Sequence, residues 1–440
     1  MVMSPAMRKT LSLLGGGAAL ALVLTACGGD DNDDSDATPP DETAPPQEEE
    51  QQADLSGELT VWIMEPGNPD VQATIDEFGA AFEQMHEGVT INIDYVPWAN
   101  AHDQFTTGIA GGQVPDLAEM GNTWTPEFAE IGAFAPVQPP AGVEFVEGLA
   151  QSATLDGTTY GYPWYAGARA LIYRTDVFEE AGVDVPTTWD ELLEVGDTIA
   201  AETDVAPIRP AGGYQHMFQP LIWNAGGDIA TQDGDSWTPG FDTEAGHEAL
   251  SFFETLWKKG WSPEGAVQWN SVDVRDDFAN EGAAMMIGGG WDLRAILGAN
   301  PELEGRVGTA LMPAGPAGNQ DVFAGGSNLV VFQESQQQEL AMAFAEFMIE
   351  PENAKELADQ IGFLPGTVGG VEETVGGDEL FGVFGDQFVN HSRAYPVAGW
   401  WSKVEGNATI PTELQRLMLG EVTVQEAAAN IDAGIAGAIG

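Results

Sequence analysis

The chain has 440 residues, 43% of them apolar, enough for two ordinary domains with their own cores and too many for a wholly disordered polypeptide. Against 70 Asp and Glu stand only 14 Lys and Arg, a formal net charge of −56, which excludes nucleic acid and anionic lipid headgroups as direct partners. The acid is spread along the whole chain and reads as a habitat property: a salty or alkaline medium screens the self-repulsion, so melts at low and at molar salt are expected to differ.

Arg8-Lys9 is followed by "TLSLLGGGAALALVLTA", an apolar stretch too short and Gly-rich for a membrane span and closed by small residues. Residues 1–26 are therefore expected to be a signal peptide. The only cysteine, Cys27, sits in Leu24-Thr-Ala-Cys27, which resembles the lipobox of bacterial lipoproteins. That resemblance implies cleavage before Cys27 and lipidation of its sulfur. One cysteine also excludes an intramolecular disulfide. The rest of 27–55 is acidic, lacks basic residues and has almost nothing apolar, so it is expected to form an extended, disordered tether.

From Gly57 strand and helix patterns alternate. "ELTVWIM" reads as a strand, and the next segment sets Val71, Ile75, Phe78, Phe82 and Met85 on one helical face. "VTINIDYVP" alternates with period two, a helix runs through "NAHDQFTTGIAGG", and "VPDLAEMG" is a short strand. The pattern predicts an α/β fold with a largely parallel sheet, whose ligands gather beyond the carboxyl ends of the strands. Farther on, Thr188 and Glu191 have the spacing of a capping box, with Trp189 read as packing. "GHEALSFFETLWKKG" and "QQELAMAFAEFMIEPENAKELADQIG" are amphipathic helices.

Enzyme signatures are missing. The five histidines have no metal-ligand spacing, there is no G-x-S-x-G elbow, and the glycines at 288–290 are not followed by Lys-Ser/Thr. Neither a cofactor nor a metal is expected. What the chain repeats is tryptophan, placed where strands end: "YVPW98AN", "MGNTW124", "YGYPW164Y165AG", "LIW223NAGG", "GGGW291" and "AGW400W401". A sugar ring has a C–H face that suits an indole and an equator of hydroxyls that suits polar groups, and a cleft is where an indole cluster is tolerated.

Nine segments then fall in a familiar order: "ELTVW", "GVTINIDYVPW", "PDLAEMGNTW", "DGTTYGYPWYAGARALIYRTDVFEEAGV", "PTTWDEL", "NAGGDI", "GAAMMIGGGW", "GGSNLVVF" and "IGFLP". From about Gly57 onward the chain resembles the sugar-binding lipoproteins of bacterial ABC importers, similar to maltose-binding protein and its oligosaccharide-binding relatives. The resemblance implies a two-lobed periplasmic-binding-protein fold with a hinge of several crossing segments and an interlobe cleft. It places 56–166 and 313–363 in an N-terminal lobe and 167–312 and 364–440 in a C-terminal lobe, with crossings near 165–170, 309–313 and 362–365. It implies a monomer on the extracytoplasmic face of the membrane, anchored by lipid at Cys27, that binds a di- or oligosaccharide and delivers it to permease subunits. By position it nominates Glu65, Asn122, Thr123, Trp124, Trp291 and either Trp400 or Trp401 as ligand contacts, and Trp164, Tyr165 and Trp223 of the strand-end pattern, with Asn328, stand beside them as candidates. His216, beside Tyr214 and Gln219, joins them, with Arg169 and Arg393 as hydroxyl donors and Asp116 as structural. Trp291 is the leading candidate, its glycines leaving room for a ring to lie on the indole. Two other readings stand beside this one: a receptor for a cation such as a polyamine, and an exported carbohydrate-active enzyme.

Overall fold

The computed structural model describes residues 55–66 and 69–440. The expected signal peptide, Cys27 and almost all of the tether lie outside them. Among the described residues no helix is long and apolar enough to cross a membrane.

Two sheets organise the chain. The first is built from β1 (Gly57–Met64), β2 (Val89–Val96), β3 (Leu117–Gly121), β4 (Tyr162–Gly167), β9 (Gly325–Val331) and β10 (Leu364–Pro365), in the order β10-β4-β9-β3-β1-β2. The second holds β5 (Arg169–Arg174), β6 (Ala206–Ile208), β7 (Ala283–Gly289) and β8 (Val307–Ala310), in the order β8-β5-β7-β6. β1 is parallel to β2 and β3, as the pattern predicts, but β9 is antiparallel to both β3 and β4, and β7 and β8 are antiparallel to β5. The sheets are mixed, not largely parallel, for a topological reason. A strand returning across the hinge starts where the outgoing strand stopped, so it must run the other way.

Period-two burial builds the first core. Leu59, Val61 and Ile63 face α1 (Pro69–Met85), which buries Val71, Ile75, Phe78 and Phe82 against them, while Met85, expected on that face, is the last residue of the helix and is 57% exposed. Trp62 and Met64 face the opposite way, towards Phe105 of α2 (Trp98–Gly111) and Phe128 of α3 (Thr125–Glu130). In the second lobe Thr188 caps the helix Trp189–Glu202 by accepting the Glu191 N–H, and the Glu191 carboxylate reaches back chiefly to Thr187, whose N–H and hydroxyl both donate to it. Trp189 is packing, as read: it stacks on Phe252 at 4.2 Å.

Three chain crossings join the lobes. In the first, β4 ends at Gly167 and β5 begins at Arg169, so a single residue separates the two sheets. The second falls later than expected. Residues 313–323 stay with the second lobe, where Ala314 bridges Thr188, Val322 pairs with Ser392 and Phe323 stacks on Tyr395 at 3.8 Å; the chain enters the first sheet only at Gly325. The third follows β10, after which Val371, Val375, Phe384 and Phe388 join the core of the second sheet.

Candidate functional site

β2 and β3 end towards the gap between the lobes, and the residues that follow them line it. The resulting cleft has a volume of about 540 Å³. Trp98, His102 and Gly121–Trp124 form its first-lobe wall, His216, Ser402, Glu405 and Gly406 its second-lobe wall, and Phe323, Gly325 and Gly326 of the returning chain its floor. At the end of β3 the Trp124 N–H bonds back to the Gly121 carbonyl (2.9 Å) and α3 starts at the next residue. Both Trp98 and Trp124 lie beside Gly121, at a distance that a Cβ there would fill with ordinary contact. Their rings meet edge to face at 5.6 Å, His102 lies 5.2 Å from Trp124, and Trp98 remains 41% exposed. Asn122 holds this wall to the returning chain: its Nδ2 donates to the Ala324 carbonyl (2.7 Å) and its backbone N–H to Gly326 (2.9 Å).

The second-lobe wall is the short helix α4 (Trp401–Gly406). Trp401 and Val404 point into the core, and Ser402, Glu405 and Gly406 occupy the cleft face, an i, i+3, i+4 set. Contacts across the gap run along α3. Glu130 accepts the Gly399 N–H (2.9 Å), Ser402 bonds Glu127, and the Thr123 hydroxyl bonds Glu405. A side chain at Gly399 would overlap the Glu130 carboxylate, so bare backbone is what lets the lobes approach there.

His102 and Glu127 form an ion pair at 2.8 Å that lifts the imidazole above its usual range; in Glu127 the bonds from His102 and Ser402 outweigh burial and keep the carboxyl low. His216 is held well below its usual value by burial and by nearby Arg169, and its Nδ1 meets the Tyr395 hydroxyl at 2.8 Å. Burial pushes Glu405 from 4.5 up to about 7, against the pull of Thr123 and Trp401. An acid raised in the folded state favours folding fully below about 4.5, and that contribution is lost as pH rises through about 7. Glu405→Gln is therefore expected to flatten the pH dependence of stability across that window by about 1–3 kcal/mol, discounted for partial exposure and read from urea melts on either side of it.

Of the nominated residues, Asn122, Thr123, Trp124 and His216 line the cleft. Tyr165, Arg169 and Trp291 meet instead at the hinge. Phe363 lies 5.5 Å from Tyr165 and stacks on Trp291 at 4.6 Å and 10°, while the Arg169 guanidinium sits 5.2 Å from the Trp291 ring and donates to Tyr214 (2.9 Å). A Cβ at Gly167 or Gly289 would overlap the Trp291 indole, so in this structure the bare backbone accommodates the tryptophan itself. Glu65 is exposed at the end of β1. Trp164, Trp223, Asn328 and Trp401 are interior, at 1%, 1%, 0% and 0% exposure, and Trp400 is packed edge-on against Trp237. Arg393 is committed to Asp228 (2.7 Å) and covers the Trp223 ring at 4.9 Å, and Trp223 donates to the same aspartate (2.9 Å). Gln219 is buried, and Asp116 is structural, accepting the Thr60 N–H (2.9 Å). The nominated set omits Trp98, His102, Phe323, Ser402 and Glu405. Trp98 carries the same signal as Trp124, a tryptophan just past a strand; Ser402 and Glu405 carry only helical spacing.

Residues 66–355 match the family described as bacterial extracellular solute-binding protein. The diacetylchitobiose binding protein DasA of Streptomyces coelicolor is 29% identical over 319 residues, 70% of this chain and 72% of that one. Among solved structures, the sugar-binding protein MalE of Xanthomonas citri is 25% identical with a TM-score of 0.78, covering 87% of this chain and 97% of that one. The GacH receptor of Streptomyces glaucescens, solved unliganded and with acarbose, gives 25% and 0.73, covering 88% and 99%. These are binding proteins and not enzymes. With two α/β lobes, a cleft between them and a family match across most of the folded chain, this protein belongs to the bacterial extracellular solute-binding proteins.

Proposed function

We propose that the protein is the receptor of an ABC sugar importer, tethered to the outer face of the cytoplasmic membrane by lipid on Cys27, that binds a di- or oligosaccharide in the cleft and hands it to the permease. The observation that carries this reading is the cleft's division of labour. One wall is the aromatic set Trp98, Trp124 and His102, and around it stand Asn122, Thr123, Ser402, Glu405 and the backbone of Gly325 and Gly326. A volume of about 540 Å³ falls in the usual range for small-ligand sites. Contacts from both walls form together only when the gap is shut, so ligand favours the closed form by its differential affinity, and the shut form is what a permease would read. The relatives whose names state a sugar ligand support the same class.

The test is a thermal-shift screen against mono- to tetrasaccharides at high and low salt, followed by chromatography of the recovered ligand. A sugar that raises the melting point and returns intact supports the receptor. No shift with any of them, or a cleaved product, overturns it. For the anchor, Cys27→Ala is expected to move the protein from the membrane fraction to the medium.

A further inference from the structure

We propose that Glu405 sets the ligand class of this cleft: a saccharide carrying a free protonated amine, such as a 2-amino-2-deoxyhexose unit, with its ammonium on Glu405 and its C–H face towards Trp98 and Trp124. This rests on the sugar-receptor reading above and narrows it.

The lining contains no Lys or Arg. The two arginines nominated from the sequence are occupied elsewhere, Arg169 with Tyr214 and Trp291 and Arg393 with Asp228. The charge of His102 is balanced by Glu127, and His216 is a neutral imidazole bonded to Tyr395. What remains is one carboxyl, Glu405, partly buried and bonded to Thr123. Part of its hydration has been lost without a cation to replace it, which is why burial lifts it. A uronate or other anionic sugar would meet that carboxyl with nothing to offset the repulsion. A neutral sugar would leave it as it is. A cation restores what burial removed. An ammonium has three N–H donors, and the walls offer three oxygen acceptors: the Glu405 carboxylate, the Thr123 hydroxyl and the Ser402 hydroxyl. Thr123 belongs to the first lobe and the other two to the second, so an amine there also holds the lobes together. A net charge of −56 draws cationic ligands towards the molecule from a distance.

The experiment is calorimetry on the full mature chain with the β-1,4-linked glucosamine disaccharide, its di-N-acetyl form, maltose, a galacturonate disaccharide and spermidine. The amine disaccharide is expected to bind at least about 10-fold more tightly than its N-acetyl form, and Glu405→Gln to weaken the amine by about 10–100-fold, so that the preference for the amine over the N-acetyl form shrinks or disappears. Ser402→Ala, which spares the core, is expected to weaken the amine disaccharide more than its N-acetyl form and serves if the glutamine variant does not fold. If the N-acetyl disaccharide or maltose binds as tightly as the amine, or if neither substitution changes the preference, the assignment of Glu405 fails and the sugar receptor stands. If only spermidine binds, both fail.

Discussion

Replacing Trp124 with alanine is expected to cost about 2–4 kcal/mol of sugar affinity, roughly 30- to 800-fold, because a large aromatic platform in a desolvated cleft is the usual site of concentrated binding energy. The indole is fixed before ligand arrives. It leans on Gly121, takes the edge of Trp98 at 5.6 Å and the imidazole of His102 at 5.2 Å, and starts α3. Little ordering is left to be done on binding, so truncation removes contact that is already organised. Trp98→Ala is expected to cost less, since that ring is 41% exposed. Titration calorimetry with the best ligand from the thermal screen measures both. Unchanged affinity in the Trp124 variant, with an unaltered melting point in the absence of ligand, would remove the aromatic wall from the account.

The largest expected effect on stability comes from a residue with no sequence signal, Glu119. It lies on β3 at 1% exposure, where its carboxyl takes a bond from the Tyr165 hydroxyl, one from Ser327 at 2.7 Å and one from the Met64 N–H at 2.9 Å. Glu119→Ala leaves three donors without an acceptor and opens a cavity between strands, an expected loss of about 3–5 kcal/mol in equilibrium urea unfolding. Glu119→Gln should cost about 1 kcal/mol, because burial raises this acid above its usual value and the amide resembles its neutral form. The sign follows from the same shift: wild type gains stability from this group as pH falls, and the glutamine variant does not. Equal melts for the alanine variant and wild type would show that these bonds do not carry the first sheet.

The sequence disclosed periodic and punctuated features and concealed contacts between distant segments. The core face of α1 could be read from Val71, Ile75, Phe78 and Phe82, and the crossing at Gly167 followed from the family resemblance, which placed it near 165–170. Asn122, Thr123 and Trp124 were legible because they follow a strand whose carboxyl end faces the cleft. The second crossing was not, since Val322 with Ser392 and Phe323 with Tyr395 are partners some seventy residues apart. Tryptophan identity by itself could not separate a platform from a core residue. Trp401 turns inward because its helix needs that side for the core, and its neighbours four and five places along take the cleft by default. Glu405 and Glu119 were hidden among 70 acidic residues, where only burial distinguishes them.

The place of β9 bears on how the molecule is made. This strand, Gly325–Val331, lies between β4 and β3 inside the first sheet, and everything from Arg169 to Ala310 that builds the second sheet precedes it in the chain. A polypeptide emerging amino end first therefore cannot complete its first lobe until the other sheet has already appeared. The second lobe in turn takes core residues from Val371, Val375, Phe384 and Phe388, so neither half can be completed before the last quarter of the chain has been made.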